Sequence, residues 1–387
     1  MARISTLRLP VLLAAAILTT AGRAAAQTQT PQDAERLFQR AMELHQAGDI
    51  LGAVDSYKAA LAIDPTRADA LSNLGAAYVR LGQFDDAIQQ YTAALKLDST
   101  NTPIRLNLAL AYYKSARPQL AIPEFRRVVA SEPEAKNAYL LLAECYLQTG
   151  QDNELLALMR PREAMFANEL AYAYLVGTAL IHGGNLAEGQ RYVERVFGAG
   201  ESAEARLLMG MAYLTKEDYR SAKEELDRAV KLNPKLPTAH AFYGRALMAL
   251  GDQEAAEREF RRELAINVND FEANLQMGHM RRGAARLDDA AIYLERALAI
   301  RPDDLTARKL LASLRLQTGK TDEAVVMLES IVKDAPELIE AHVQLATAYN
   351  RLKRTADAQR EREIADKLTA EVQAKQPGVK PKGGSER

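Results

Sequence analysis

From Ala34 onward the chain repeats one pattern of small, ring-bearing and polar positions every 34 residues. The eighth position of successive units is Ala41, Gly75, Ala109, Ala143 and Gly177. After the loss of one residue before the sixth unit it is Gly210, Gly244, Gly278, Ala312 and Ala346. The twentieth position is small too (Ala53, Ala87, Ala121, Gly189, Ala222, Ala256, Ala290, Ala324, Ala358), with Leu155 as the exception. Position 11 often carries a ring, as at Tyr78, Tyr112, Tyr146, Tyr213 and Tyr349. Position 15 is glycine at Gly48, Gly82, Gly150, Gly184, Gly251 and Gly319, and units end near Pro65, Pro133, Pro234, Pro302 and Pro336. Each unit therefore reads as a helix of about 14 residues, a glycine-marked turn and a second helix stopped near proline.

Small residues at positions 8 and 20 let the two helices of a hairpin approach closely, and Tyr or Leu at 11 and Tyr or Phe at 24 fill the remaining space. A single hairpin cannot cover its apolar faces, so stacking must supply a core that runs along the array, with polar caps at its ends. On this logic Gly244→Leu overpacks a close contact. Gly244→Ala is expected to be neutral or slightly stabilising, because alanine is the better helix former. Thr30-Pro31-Gln32-Asp33 is a helix start, with a threonine cap, proline in the first turn and an acid three residues on. Pro161 predicts a kinked or shortened second helix in the fourth unit, where the pattern degenerates around 153–169.

Small at 8, ring at 11, small at 20, ring at 24 and proline at 32 resembles the tetratricopeptide repeat (TPR) family. Leu71, Leu74, Gly75, Tyr78, Ala87, Tyr91 and Ala94 carry the resemblance most fully. It implies an all-α fold, a right-handed α-α superhelical solenoid of about ten hairpins over residues 34–372, followed by a flexible tail at 373–387. It also implies a concave face lined by the first helix of each unit, at positions 2, 5, 9, 12 and 13.

Composition changes little in this picture. Lys and Arg total 50 against 51 for Asp and Glu, so no charge excess calls for a nucleic-acid partner. The absence of Trp and an aromatic content of 6% suit helices better than an aromatic-rich β architecture. One cysteine, Cys145, makes an intrachain disulfide impossible and leaves the compartment open. The first 26 residues speak to it: Arg3 and Arg8 precede an apolar run from Leu9 to Ala21 that ends in Ala24-Ala25-Ala26. Bilayer spanning takes about 20 apolar residues, so this shorter run reads as a signal peptide cut before Gln27. Cleavage takes the formal charge from -1 to -4. The mature chain is expected to be soluble, without a transmembrane segment, and periplasmic or secreted.

No catalytic constellation accompanies the repeat. His45, His182, His240, His279 and His342 include no pair at metal-ligand spacing on one helical face, so no metal or other cofactor is expected. Cys145 stands at position 10, where other units have alanine, and reads as a small packing residue. No phosphate loop, dinucleotide fingerprint or nucleophile elbow is present, so the chain does not read as an enzyme.

At positions 5 and 12 of units 3 to 6 stand Leu106, Tyr113, Leu140, Leu147, Tyr174, Ile181, Leu207 and Leu214, and position 9 adds Leu110 and Met211. This stripe is either a surface for a protein or peptide partner, with Tyr113 and Tyr174 as anchors, or contact between adjacent first helices. Arg245, His279, Arg282 and Lys309 fall on groove positions of units 7 to 9 and can receive a carboxylate-rich segment. The family's chaperone-tail clamp is absent in its usual form, since Phe38 and Met42 occupy its positions in the first unit. The leading expectation is a protein-protein interaction scaffold within an envelope complex. The alternatives are a solenoid subunit of a polysaccharide synthesis or export machine and, least favoured, an enzyme.

Overall fold

A computed structural model describes residues 30–198 and 200–374. Among them twenty α-helices pair into ten hairpins with no strand. The first five pairs are α1 (Pro31–Ala47) with α2 (Ile50–Ile63), α3 (Ala68–Arg80) with α4 (Phe84–Leu97), α5 (Thr102–Lys114) with α6 (Pro118–Ser131), α7 (Lys136–Gln148) with α8 (Asp152–Met159), and α9 (Leu170–His182) with α10 (Leu186–Gly198). The second five are α11 (Ala203–Thr215) with α12 (Tyr219–Leu232), α13 (Ala239–Ala249) with α14 (Gln253–Ile266), α15 (Phe271–Gly283) with α16 (Leu287–Ile300), α17 (Leu305–Gln317) with α18 (Thr321–Asp334), and α19 (Ile339–Arg351) with α20 (Thr355–Ala374). The expected signal peptide with its cleavage site lies outside the described residues, as does the expected tail beyond the end of α20.

The hairpin begins at a capped end. The Asp33 amide donates to the Thr30 hydroxyl at 3.3 Å and the Thr30 amide donates to the Asp33 carboxylate at 3.0 Å, with Pro31 in the first turn. Every unit then turns at position 15 in the left-handed region. Six units use the glycines read from the sequence, and the other four use Ala116, Glu217, Ala285 and Lys353 at φ of 55–60°. Non-glycine residues pay about 1–2 kcal/mol there, so the turn geometry is imposed by packing rather than by the local residue.

Positions 8 and 24 meet as the repeat predicts, and the contact is tighter than the sequence reading assumed. A methyl group added at Gly244 would stand 2.7 Å from the Phe260 ring, and one at Gly278 would stand 2.6 Å from Leu294. Phe260 is fully buried and cannot swing away. The expectation that Gly244→Ala is neutral is therefore corrected: even alanine must push a ring inside the core.

In the fourth unit the second helix stops at Met159, and residues Arg160–Phe166 tighten into a 3-10 helix with Pro161 in its first turn. Phe166 takes up the lost packing, stacked on Tyr172 at 5.5 Å between ring centroids and edge-on to Tyr139 at 6.5 Å. Buried apolar side chains run along the array in successive clusters, the largest from Ala109 to Ala246. Cys145 lies inside that cluster, fully buried, and burial pushes its thiol pKa well up, away from the reactive thiolate.

A second device binds hairpins internally. In units 3, 6, 7 and 10 a basic side chain at position 4 faces a glutamate at position 23 at 2.6 Å: Arg105–Glu124, Arg206–Glu225, His240–Glu259 and His342–Glu361. Both histidines also place Nε2 against a proline carbonyl of the preceding turn, at 3.1 Å for Pro234 and 2.9 Å for Pro336. Burial lowers the basicity of His240, but the Glu259 carboxylate and the Pro234 carbonyl outweigh it and hold its pKa above the ordinary value.

Candidate partner groove

The array curls until distant units touch. Gln119, at the start of α6, donates its amide to the carbonyls of Ala299 at 2.9 Å and Ile300 at 2.5 Å. Asn269 donates to the Ala116 carbonyl at 3.0 Å, and Arg301 reaches the carbonyls of Gln148 and Leu147 at 3.3 Å each. Units 3 and 4 are thereby tied to the turns that flank unit 8, some 150 to 180 residues further on. These partners are side-chain donors and turn carbonyls, so the closure needs no apolar seam.

Behind this closure lies a cavity of about 520 Å³ between the first helices of units 4, 5 and 7 and the turns that lead into units 7, 8 and 9. Its apolar wall is Leu140 and Leu147 from α7, Tyr174 and Leu175 from α9, and Phe242 from α13. Its polar groups include Glu144, Asp152, Thr178, His182, Thr238, Arg245, Asp270, Glu272 and Arg301. Tyr174 is half-buried, and burial followed by the nearby charges of Glu144 and Glu204 pushes its phenol pKa up, while Thr238 lies within hydrogen-bonding reach. Thr238 caps α13 from a left-handed backbone at φ 67°, a conformation β-branched residues rarely adopt, and its amide donates to Glu263 at 2.8 Å. His182 and Phe242 approach to 6.0 Å between ring centroids although unit 6 separates them in sequence.

Of the sequence-predicted residues, the structure brings Leu140, Tyr174 and Arg245 together in this cavity, with Leu147. Leu106, Leu110 and Tyr113 of unit 3 are half-buried on the same helical face but do not line it. Ile181 and Met211 are placed differently from the expectation of an open stripe: they are 1% and 2% exposed, packed between hairpins with Leu207 and Leu214. Each first helix is pressed against the next there, so these positions go to stacking. The four basic residues do not form one open patch. Arg245 faces Glu272 at 3.5 Å, Arg282 donates to the Ser313 hydroxyl at 2.9 Å, and Lys309 faces Glu340 at 3.3 Å, while His279 is exposed.

Sequence reasoning missed Glu144, Phe242, Asp270 and Arg301. Glu144 occupies position 9, a groove position, between Leu140 and Leu147, and an acid in that company was the available signal. Burial pushes its carboxyl pKa up, with partial relief from Tyr113 and Gln148. Asp270 caps α15, accepting from the Ala273 amide at 2.8 Å, and is only 4% exposed. Burial and the neighbouring Glu263 push its pKa up to about 8.

Comparison with known families agrees with the repeat register. A family model described as TPR repeat matches residues 42–82 and 75–115. Two described as Tetratricopeptide repeat match 106–154 with 207–269, and 282–342. This chain is a tetratricopeptide repeat protein. Among solved structures, the APC/C hetero-tetramer Cut9-Hcn1 shares 16% identity at a TM-score of 0.54, over 88% of this chain and 81% of that one. The MamA protein shares 22% identity at a TM-score of 0.41, over 44% of this chain and 92% of that one. These likenesses extend to the fold alone. No curated protein matches the chain. No helix among the described residues of this TPR protein is long and apolar enough to cross a membrane.

Proposed function

We propose that this TPR protein is a non-catalytic scaffold, exported to the cell envelope, that holds a segment of a partner protein in its concave groove. The observation that carries the reading is the recessed stretch of groove, in which Leu140, Tyr174 and Phe242 present apolar surface beside polar groups. Helices supply most of that apolar surface, so little backbone ordering of the array is needed on binding. Export rests on the charged, apolar and small-residue order of the first 26 residues.

Site-specific photo-crosslinking in the envelope tests it. A benzophenone side chain replacing Leu140 or Tyr174 should give the same discrete adduct, whereas one replacing Val326, 68% exposed on the opposite helix layer in α18, should give none. The material recovered should begin at Gln27. Adducts at Val326 alone would move the interaction off the groove, and an intact Met1 would remove export.

A further inference from the structure

We infer that this cavity takes a lysine or arginine side chain from the bound segment, held between apolar walls and paired with Glu144 and Asp270. This deepens the groove reading and rests on it. The argument is one of charge balance in a recessed space. Four carboxylates line the cavity against two arginines and a histidine. Arg245 is engaged by Glu272 at 3.5 Å, and His182 lies 3.5 Å from Asp152. Arg301 lies over the Phe271 ring at 4.2 Å and uses two of its five N–H donors on the carbonyls of Leu147 and Gln148.

Neither Glu144 nor Asp270 forms an ion pair among the described residues, and the Arg301 charge offsets the rise at Asp270 only in part. Glu144 has only the Gln148 amide, at 3.4 Å, and the Tyr113 phenol. Asp270, 96% withdrawn from solvent by its 4% exposure, uses one carboxylate oxygen at the Ala273 amide, and the other has no hydrogen-bond partner among the described residues. Desolvated carboxylates without a cation are costly, and each is held towards its neutral form here. A guanidinium or ammonium entering on an aliphatic stem removes that cost, while the stem lies against Leu140, Tyr174 and Phe242. An acidic side chain would add a further carboxylate to the same space, which makes the cavity select by charge as well as by shape.

The test is selection of random peptides displayed on phage against the full chain, run beside the double variant Glu144→Gln/Asp270→Asn. Peptides enriched on the parent should carry Lys or Arg flanked by apolar residues. Their synthetic forms should weaken by about tenfold or more when that residue becomes norleucine, and by a similar factor on the double variant. The norleucine comparison uses the parent protein, so it stands even where the double variant melts early. Enriched peptides without a cation, or with one that norleucine replaces at no loss, overturn the pairing. If such peptides still lose binding to Leu140→Asp, the groove reading survives without it. Enrichment of no peptide on the parent overturns both.

Discussion

Replacing Gly244 by alanine should destabilise the chain by about 1–3 kcal/mol, and replacing it by leucine should cost more. The added methyl stands 2.7 Å from a ring carbon of Phe260, with two further ring carbons at 2.9 and 3.0 Å. That ring is fully buried, so relief requires the two helices of unit 7 to part. Alanine recovers about 1 kcal/mol of helix propensity, which is too little to offset a displaced core ring. Unit 9 holds alanine and leucine at positions 8 and 24 (Ala312 and Leu328, both fully buried), although units 1 and 3 hold alanine beside Tyr57 and Phe125, and replacing Phe260 by leucine removes the ring carbons that the methyl meets. Adding Phe260→Leu to Gly244→Ala should therefore return part of the loss. Urea midpoints of the parent and the three variants check the order, and a leucine variant as stable as the parent would mean that the repeat register is wrong.

Asp270→Asn should stabilise the chain at alkaline pH and leave it nearly unchanged in acid. The carboxyl is raised from 3.8 to about 8 in the folded state, by burial first and then by the charge of Glu263. Between those values the folded chain holds a proton that the unfolded chain releases. Raising pH through that window therefore costs stability, and the loss levels off above about 8. Asparagine keeps an oxygen for the Ala273 amide and carries no charge, so it removes the slope without removing the cap. The gain at pH 9 should be on the order of a few kcal/mol, shared with Glu263, whose own carboxyl is raised by burial and whose second oxygen has no partner among the described residues. Melting temperatures of the two proteins at pH 5, 7 and 9 decide it. A variant that melts below the parent at pH 9 would mean that Asp270 is held as an anion, with the Arg301 charge outweighing burial.

What was legible from sequence is what each unit repeats. Position 8 and position 20 recur because helix approach is a local requirement, and so the hairpins, their turns and the weak fourth unit could be read from single residues such as Gly244 and Pro161. The left-handed turns at Ala116, Glu217, Ala285 and Lys353 carried no glycine to announce them, yet unit length fixes their place. The pairing of position 4 with position 23 was also available, since Arg105, Arg206, His240 and His342 each precede a glutamate by 19 residues. The groove was less legible for a physical reason. Whether Ile181 and Met211 face a partner or the next helix depends on the small rotation between hairpins, which no single unit encodes. The cavity depends on the sum of those rotations over five units, which brings Asn269 to Ala116 and Arg301 to Leu147. Glu144 and Asp270 acquire their character only once that sum has closed the space around them.

The three side chains that tie units 3 and 4 to the surroundings of unit 8 alter the mechanics of the molecule. An open superhelix pulled from its ends lengthens like a soft spring, each hairpin tilting slightly against the next. In this chain Gln119, Asn269 and Arg301 short-circuit the middle of that spring, so tension applied at the ends bypasses the units between them. Those units form a stiff segment between compliant arms of units 1 and 2 at one end and units 9 and 10 at the other. A load transmitted through the scaffold would therefore stretch the arms first and leave the cavity undeformed until the side-chain ties break.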